Sequence, residues 1–110
     1  MSDTDALVVY CTVGDGREGE RLARTLVARK LAACVNVLGG VRSYYWWEGQ
    51  VQADDELLLI AKTDRARFEG LVEAILQEHS YDCPEVVATP VTAGAPDYLD
   101  WIRDALERPD

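Results

Sequence analysis

The chain has 110 residues, of which 48% are hydrophobic, and this is enough for one folded domain with its own core. Its net charge is −9, so the chain would repel a phosphate backbone and we expect no nucleic-acid partner. No apolar run approaches the roughly 20 residues that a membrane helix needs, and the start MSDTDALVVY lacks the basic region of a signal peptide. We therefore expect a single domain over residues 1–110, located in the cytoplasm and without a membrane partner.

The first predicted strand and helix are joined by a short turn that contains two glycines. Residues 6–13 (ALVVYCTV) are apolar and rich in β-branched side chains, which is typical of a buried strand. Asp15 is the predicted N-cap of the helix, and Glu18, three positions later, would complete a capping box. Apolar residues then recur at helical spacing and predict a helix that ends near Leu31.

Two long segments follow and are predicted to form a hairpin. Residues 34–47 (CVNVLGGVRSYYWW) and 50–63 (QVQADDELLLIAKT) each exceed the about five or six residues of a usual strand. The paired glycines at 39–40 indicate a bulge or a bend, and the Glu-Gly dipeptide at 48–49 makes the turn. We expect such a hairpin to overhang a domain of this size.

The second half of the chain contains a helix, a strand and a last helix. Asp64 is the predicted cap of a helix whose apolar stripe continues to His79. A loop then leads into a strand over residues 85–91 (EVVATPV). Because proline suits the first turn of a helix, the last helix is predicted to begin around Pro96, and Pro109 would end it.

The order β-α-β-β-α-β-α indicates an α+β protein, a ferredoxin-like βαββαβ sandwich with an added C-terminal helix. A right-handed crossover and antiparallel pairing then give a sheet of order 4-1-3-2. In this topology Cys11, His79 and Glu85 reach the end of the sheet at which the hairpin turns, whereas Lys62 falls at the opposite end.

Five segments carry a specific set of motifs. They are LAACVNV (31–37), SYYWWEG (43–49), ELLLIAKT (56–63), HSYDCPEVVATPV (79–91) and DYLDWI (97–102). In this order and spacing they resemble the CutA family of divalent-cation tolerance proteins, over roughly residues 6–106. The resemblance implies a ferredoxin-like homotrimer that takes part in the response to divalent metal ions such as copper and that catalyses no reaction.

The resemblance also accounts for four adjacent aromatic residues on the hairpin. A single strand face cannot bury Tyr44, Tyr45, Trp46 and Trp47 together, because neighbouring side chains point to opposite faces. In the family the long hairpins pair across subunit boundaries, and a closed ring removes the exposed strand edge. We therefore predict that these four residues form the trimer interface.

The family positions associated with metal binding match Cys11, His79 and Glu85. Thiolate, imidazole and carboxylate suit copper or another divalent cation, and a site between subunits is easier to build than one within a single chain. Since the chain has one histidine, we predict modest affinity. Each residue also has a structural interpretation: a buried thiol, a packed or C-capping histidine, and a salt-bridged glutamate.

Matching positions also predict an intersubunit cleft lined by Trp47, Lys62 and Tyr81. PII-type signalling proteins are trimeric and ferredoxin-like too, so a regulatory module that binds a small anionic ligand in this cleft is the alternative function. An enzyme would need Cys11 and His79 as nucleophile and base, or an anion-binding loop at residues 14–17 like that of acylphosphatases. That loop is acidic, and we expect no catalysis.

Overall fold

The computed structural model describes residues 4–107, so the predicted helix end at Pro109 lies outside the described residues. The elements in this range follow the predicted order. They are β1 (Ala6–Val13), α1 (Gly16–Ala28), β2 (Cys34–Trp47), β3 (Gln50–Asp64), α2 (Phe68–Glu78), β4 (Val87–Pro90) and α3 (Pro96–Glu107). Within residues 4–107, no helix is both long enough and apolar enough to span a membrane.

The four strands form one antiparallel sheet of order β2-β3-β1-β4. This is the predicted 4-1-3-2 order, and it confirms the ferredoxin-like α+β architecture. The two edge strands differ greatly in length, since β2 has 14 residues and β4 has four, the last of which is Pro90.

The main core lies between one face of the sheet and the helices α1 and α2. Alternate residues of β1 and β3 point to this face, as strand geometry requires. The most deeply buried members are Val9, Val13, Leu22, Leu26, Leu59, Leu71 and Ile75. The helix α3 packs on the other face, where Ile102 and Leu106 contact Ala6.

The hairpin of β2 and β3 extends past the rest of the sheet, as predicted. β1 pairs with β3 only over residues 57–64, whereas β2 pairs with β3 down to the turn. The register shifts between Leu38 and Val41, which confirms the bulge, and Gly40 there has φ of 79°. Glu48 and Gly49 make the turn with φ of 52° and 76°, a conformation typical of tight hairpins.

Both helix boundaries that sequence patterns predicted near α1 and α2 need correction. α1 ends at Ala28, because Lys30 takes a left-handed φ of 58° that stops the helix before Leu31. α2 begins at Phe68 and not directly after Asp64, which is the last residue of β3. The Asp64 carboxylate instead closes the turn before α2 by accepting the backbone N–H of Arg67 at 3.0 Å.

The predicted strand over residues 85–91 is shorter in the structure. β4 covers Val87–Pro90, so Glu85 belongs to the preceding loop. α2 ends at Glu78, and His79 is its C-cap with an extended backbone, which agrees with the C-capping interpretation of this residue. The imidazole ring is therefore directed away from the axis of α2 and towards the end of β1, where it contacts Thr12.

Candidate functional site

The overhanging hairpin carries a large exposed aromatic surface. Tyr44 is 70% exposed, Trp46 69% and Trp47 51%, and Tyr45 is also exposed. These side chains lie on the part of the hairpin that β1 does not pair with, and β2 is an edge strand of the sheet. Large contiguous apolar patches on a small protein mark surfaces that contact a partner.

His79 occupies the end of the sheet with its ring fully buried. Its Nε2 lies 2.7 Å from the carbonyl oxygen of Thr12, and its Nδ1 accepts the backbone N–H of Tyr81 at 3.0 Å. Because a carbonyl can only accept, Nε2 carries the proton and donates it. Both ring nitrogens are therefore engaged in hydrogen bonds within the chain.

Glu18 is a buried carboxylate that holds the loop after His79. It accepts the backbone N–H of Ser80 at 2.7 Å and the Ser80 hydroxyl at 3.0 Å. Asp15 caps α1 as predicted, accepting the N–H of Glu18 at 2.8 Å. The predicted capping-box role of Glu18 is replaced by this long-range anchor, since its side chain binds Ser80, 62 residues away.

The Glu18 anchor also fixes the ionisation of its carboxyl group. Burial alone would raise the pKa of Glu18, but the two hydrogen bonds from Ser80, the nearby His79 ring and the backbone N–H of Gly14 together outweigh burial and hold the pKa below its ordinary value. The carboxylate form is therefore the one that stabilises the fold.

Tyr81 connects the same loop to the hairpin. Its hydroxyl donates a hydrogen bond to Oε2 of Glu56 at 2.8 Å, and Glu56 is buried at the position in β3 directly before the β1-paired part. Burial first, and then the hydrogen bond to Glu56, raises the pKa of Tyr81 above its usual range. The phenol consequently stays protonated and keeps its donor at neutral pH.

Cys11 is a core residue, 2% exposed, on the helix-covered face of the sheet. Burial, followed by the nearby carboxylates of Glu85, Glu18 and Glu56, raises the pKa of its thiol to about 12. A metal-binding cysteine is a thiolate, and this environment opposes that form.

The predicted metal ligands Cys11, His79 and Glu85 do reach the same end of the sheet, but they do not fit a ready cation site within one chain. His79 has no free lone pair in this state, Cys11 is held as a thiol, and Glu85 is exposed in the loop. Across residues 4–107, no three His, Cys, Asp or Glu side chains are grouped so that they could hold a metal ion.

The residues of the predicted cleft are not brought together within one chain. Lys62 pairs with Val8 and Cys34 in the sheet, and its side chain forms a hydrogen bond with Asn36. It lies six residues along β3 from Glu56, the residue that the Tyr81 hydroxyl contacts. Trp47 lies beyond them at the hairpin turn. The cleft therefore stays a prediction that requires neighbouring subunits.

Sequence reasoning missed three residues of this end of the sheet, Thr12, Ser80 and Glu56, and it missed the long-range role of Glu18. One signal was available, because Glu56 is the charged residue that directly precedes the apolar run LLLIA. Glu18 was recognised only as a local capping residue. Its partner Ser80 is 62 residues away, so a local sequence pattern cannot predict their hydrogen bonds.

The lowered pKa of Glu18 gives a pH-dependent prediction. A group with a depressed pKa in the folded state contributes stability above its unfolded pKa and loses that contribution as the pH falls through the folded value. We expect Glu18→Gln to be less stable than the wild type at about pH 7 and the difference to shrink as the pH falls below about 4. Urea unfolding at several pH values measures this, and a difference that grows on acidification would contradict it.

The three thiols should react at very different rates. Cys83 is exposed, whereas Cys11 is buried and has a pKa near 12. Because the thiolate is the reactive form, we expect a maleimide to modify Cys83 at least about 100-fold faster than Cys11 in the folded protein. Mass spectrometry of digested samples measures both rates. Cys83→Ser should abolish the fastest phase, and a fast phase that needs Cys11 instead would refute the assignment.

The fold and the site define a small ferredoxin-like α+β protein with a long aromatic hairpin and a buried polar network at its root. The chain belongs to the CutA1 divalent ion tolerance protein family, whose model matches residues 7–105. This confirms the resemblance to the CutA family.

Individual relatives agree with this membership. Protein CutA 1, chloroplastic, of Oryza sativa is 46% identical over 91% of this chain and 56% of the rice protein. The divalent-cation tolerance protein CutA of Pectobacterium atrosepticum is 40% identical over 96% of this chain and 99% of that protein. A crystal structure of CutA from Xylella fastidiosa has a TM-score of 0.92 at 33% identity and covers 94% of this chain and all of that one. This chain thus spans about half the length of the plant relatives.

Proposed function

We propose that this protein is a non-catalytic homotrimer that acts in the cellular response to divalent metal ions, with copper or another divalent cation bound at modest affinity. The observation that carries the proposal is the exposed aromatic surface of Tyr44, Trp46 and Trp47 on an overhanging hairpin. Such a surface on an edge strand would aggregate if left free, and a closed ring of subunits protects it.

The cation part of the proposal is supported by charge and by family. The net charge of −9 attracts cations, and relatives are named divalent-cation tolerance proteins and not enzymes. Relatives carry the words chloroplastic and periplasmic in their names. For this chain we propose the cytoplasm.

The metal ligands proposed from family positions need a change in the chain before they can bind. His79 would have to give up its bond to Thr12 or Tyr81, and Cys11 its proton. Both steps cost free energy, so affinity would be modest. Glu85, exposed in the loop, is the ligand that needs no rearrangement.

Two measurements test the proposal. Light scattering at micromolar concentration should report the mass of three chains, and a single-chain mass would refute the assembly. Calorimetric titration of copper, zinc and magnesium into wild type, Cys11→Ser and Glu85→Gln tests the cation role. Loss of affinity in Glu85→Gln supports that ligand, and an absence of binding to the wild type refutes the cation role.

A further inference from the structure

We propose that Tyr81 is a positioning residue that fixes the direction of the aromatic hairpin by holding Glu56. The importance of this direction for assembly rests on the proposed trimer. We call the hydrogen bond between the Tyr81 hydroxyl and the Glu56 carboxylate the latch.

The hairpin needs such a latch because it leaves the sheet at Glu56. β1 supports β3 only from Leu57 onwards, so residues 41–56 form a two-stranded ribbon. The other side-chain hydrogen bonds of this ribbon, Arg42 to Asp55 and Tyr45 to Asp54, join one of its strands to the other. They stiffen the ribbon without orienting it relative to the domain.

The latch acts at the point where the ribbon bends. Glu56 pairs with Val41, the first paired residue after the register shift that follows Leu38. A bulge re-aims a strand and increases its local twist, and Gly40 adds backbone freedom there. A contact at Glu56 therefore controls the angle at which the whole ribbon emerges.

Tyr81 is held firmly enough to serve as an anchor. Its backbone N–H donates to His79, which is fixed on Thr12, and the preceding Ser80 is fixed on Glu18. The ring of Tyr81 also packs against that of His79, with centroids 4.6 Å apart. The loop is thus tied to both β1 and α1 before it reaches the hairpin.

Gly14 leaves room for the Tyr81 hydroxyl. A Cβ atom at this position would lie 3.3 Å from the hydroxyl oxygen, tighter than an ordinary contact. The backbone of the β1–α1 turn therefore approaches the phenol closely and limits its movement.

The latch has a mechanical consequence at the hairpin turn. The turn lies about seven residues beyond Glu56, roughly 20 Å away in extended chain, so a rotation of about 10° at the root would move the turn by roughly 4 Å. Three hairpins must meet at one angle to close a ring. Holding this angle in the single chain lowers the ordering cost of assembly.

Tyr81→Phe tests the proposal, because it removes the hydroxyl and keeps the ring. We expect amide hydrogen exchange in residues 44–51 to accelerate about tenfold, with exchange in β1 unchanged. Emission from Trp46 and Trp47 should shift to longer wavelength in parallel. Unchanged hairpin exchange would overturn the proposal, and so would equal acceleration in β1, because this would be global destabilisation.

Variants at the partner residue separate positioning from general stability. Glu56→Gln keeps an acceptor oxygen for the Tyr81 hydroxyl and should exchange like the wild type, whereas Glu56→Leu should resemble Tyr81→Phe. Tyr98→Phe on α3 is the matched control and should change nothing in the hairpin. If Glu56→Gln loosens the hairpin as much as Glu56→Leu, the hydrogen bond is not what orients it.

The outcome is separable from that of the proposed function. A wild type with single-chain mass would refute the trimer, yet the exchange comparison between Tyr81→Phe and wild type would still decide whether the latch operates. Conversely, the wild type could be a stable trimer while Tyr81→Phe leaves hydrogen exchange in the hairpin unchanged. This result would support the assembly and refute the latch.

Discussion

Replacing both Trp46 and Trp47 by alanine should convert the proposed trimer into single folded chains. Each large aromatic side chain that becomes buried contributes roughly 1.5–3 kcal/mol, so the double variant loses about 3–6 kcal/mol per subunit. A loss of this size weakens each interface at least about 100-fold. The core should survive, because both side chains are exposed in the isolated chain. Sedimentation or light scattering across a dilution series measures the change in mass.

The matched control for this variant is Trp101→Ala on α3. Trp101 is also partly exposed, at 46%, and stacks on Tyr98, but it lies on the last helix and not on the hairpin. It should leave the mass unchanged. If the double hairpin variant keeps the wild-type mass at nanomolar dilution, the hairpin aromatics are not the assembly surface.

Replacing His79 by alanine should lower the free energy of unfolding by about 3–5 kcal/mol. The substitution leaves a cavity where a fully buried ring was. It also removes the imidazole nitrogens to which the Thr12 carbonyl and the Tyr81 N–H are hydrogen-bonded. Unsatisfied buried polar groups add to the cost of the cavity. Denaturant unfolding of the two proteins at equal concentration measures the difference.

A second variant at this position distinguishes a structural histidine from a metal ligand. His79→Gln retains an amide N–H that can donate to the Thr12 carbonyl, so it should recover part of the lost stability. An amide is a poor ligand for copper or zinc compared with imidazole. If His79→Gln is as stable as wild type but loses metal affinity, the ring is a ligand. If stability falls in His79→Ala while affinity is unchanged in both, it is structural.

The strands were predictable because their signals are local. The bounds of β1 and β2 follow from apolar and β-branched runs that end at glycine-containing turns, and the bulge follows from the glycines at 39–40. The sheet order then follows from chain connectivity and handedness. Hence the convergence of Cys11 and His79 at one end was predictable before any coordinates.

Helix ends and side-chain orientations were less accessible. The end of α1 depends on the left-handed backbone of Lys30, and lysine is not a residue type that predicts this conformation. Whether His79 offers a lone pair depends on a carbonyl 67 residues away. A sequence places a residue at an end of the sheet, but tertiary hydrogen bonds decide what its atoms are free to do.

The unequal edges of the sheet bear on how this molecule behaves when crowded. Endless fibre growth by strand addition requires two long, compatible borders, one on each side of every added unit. Here one border is 14 residues long and the other only four, closed by a proline that lacks an N–H to donate. The short edge strand β4 therefore offers few backbone groups on which a fibril could grow. Closed complexes of fixed size are favoured over fibrils at high concentration.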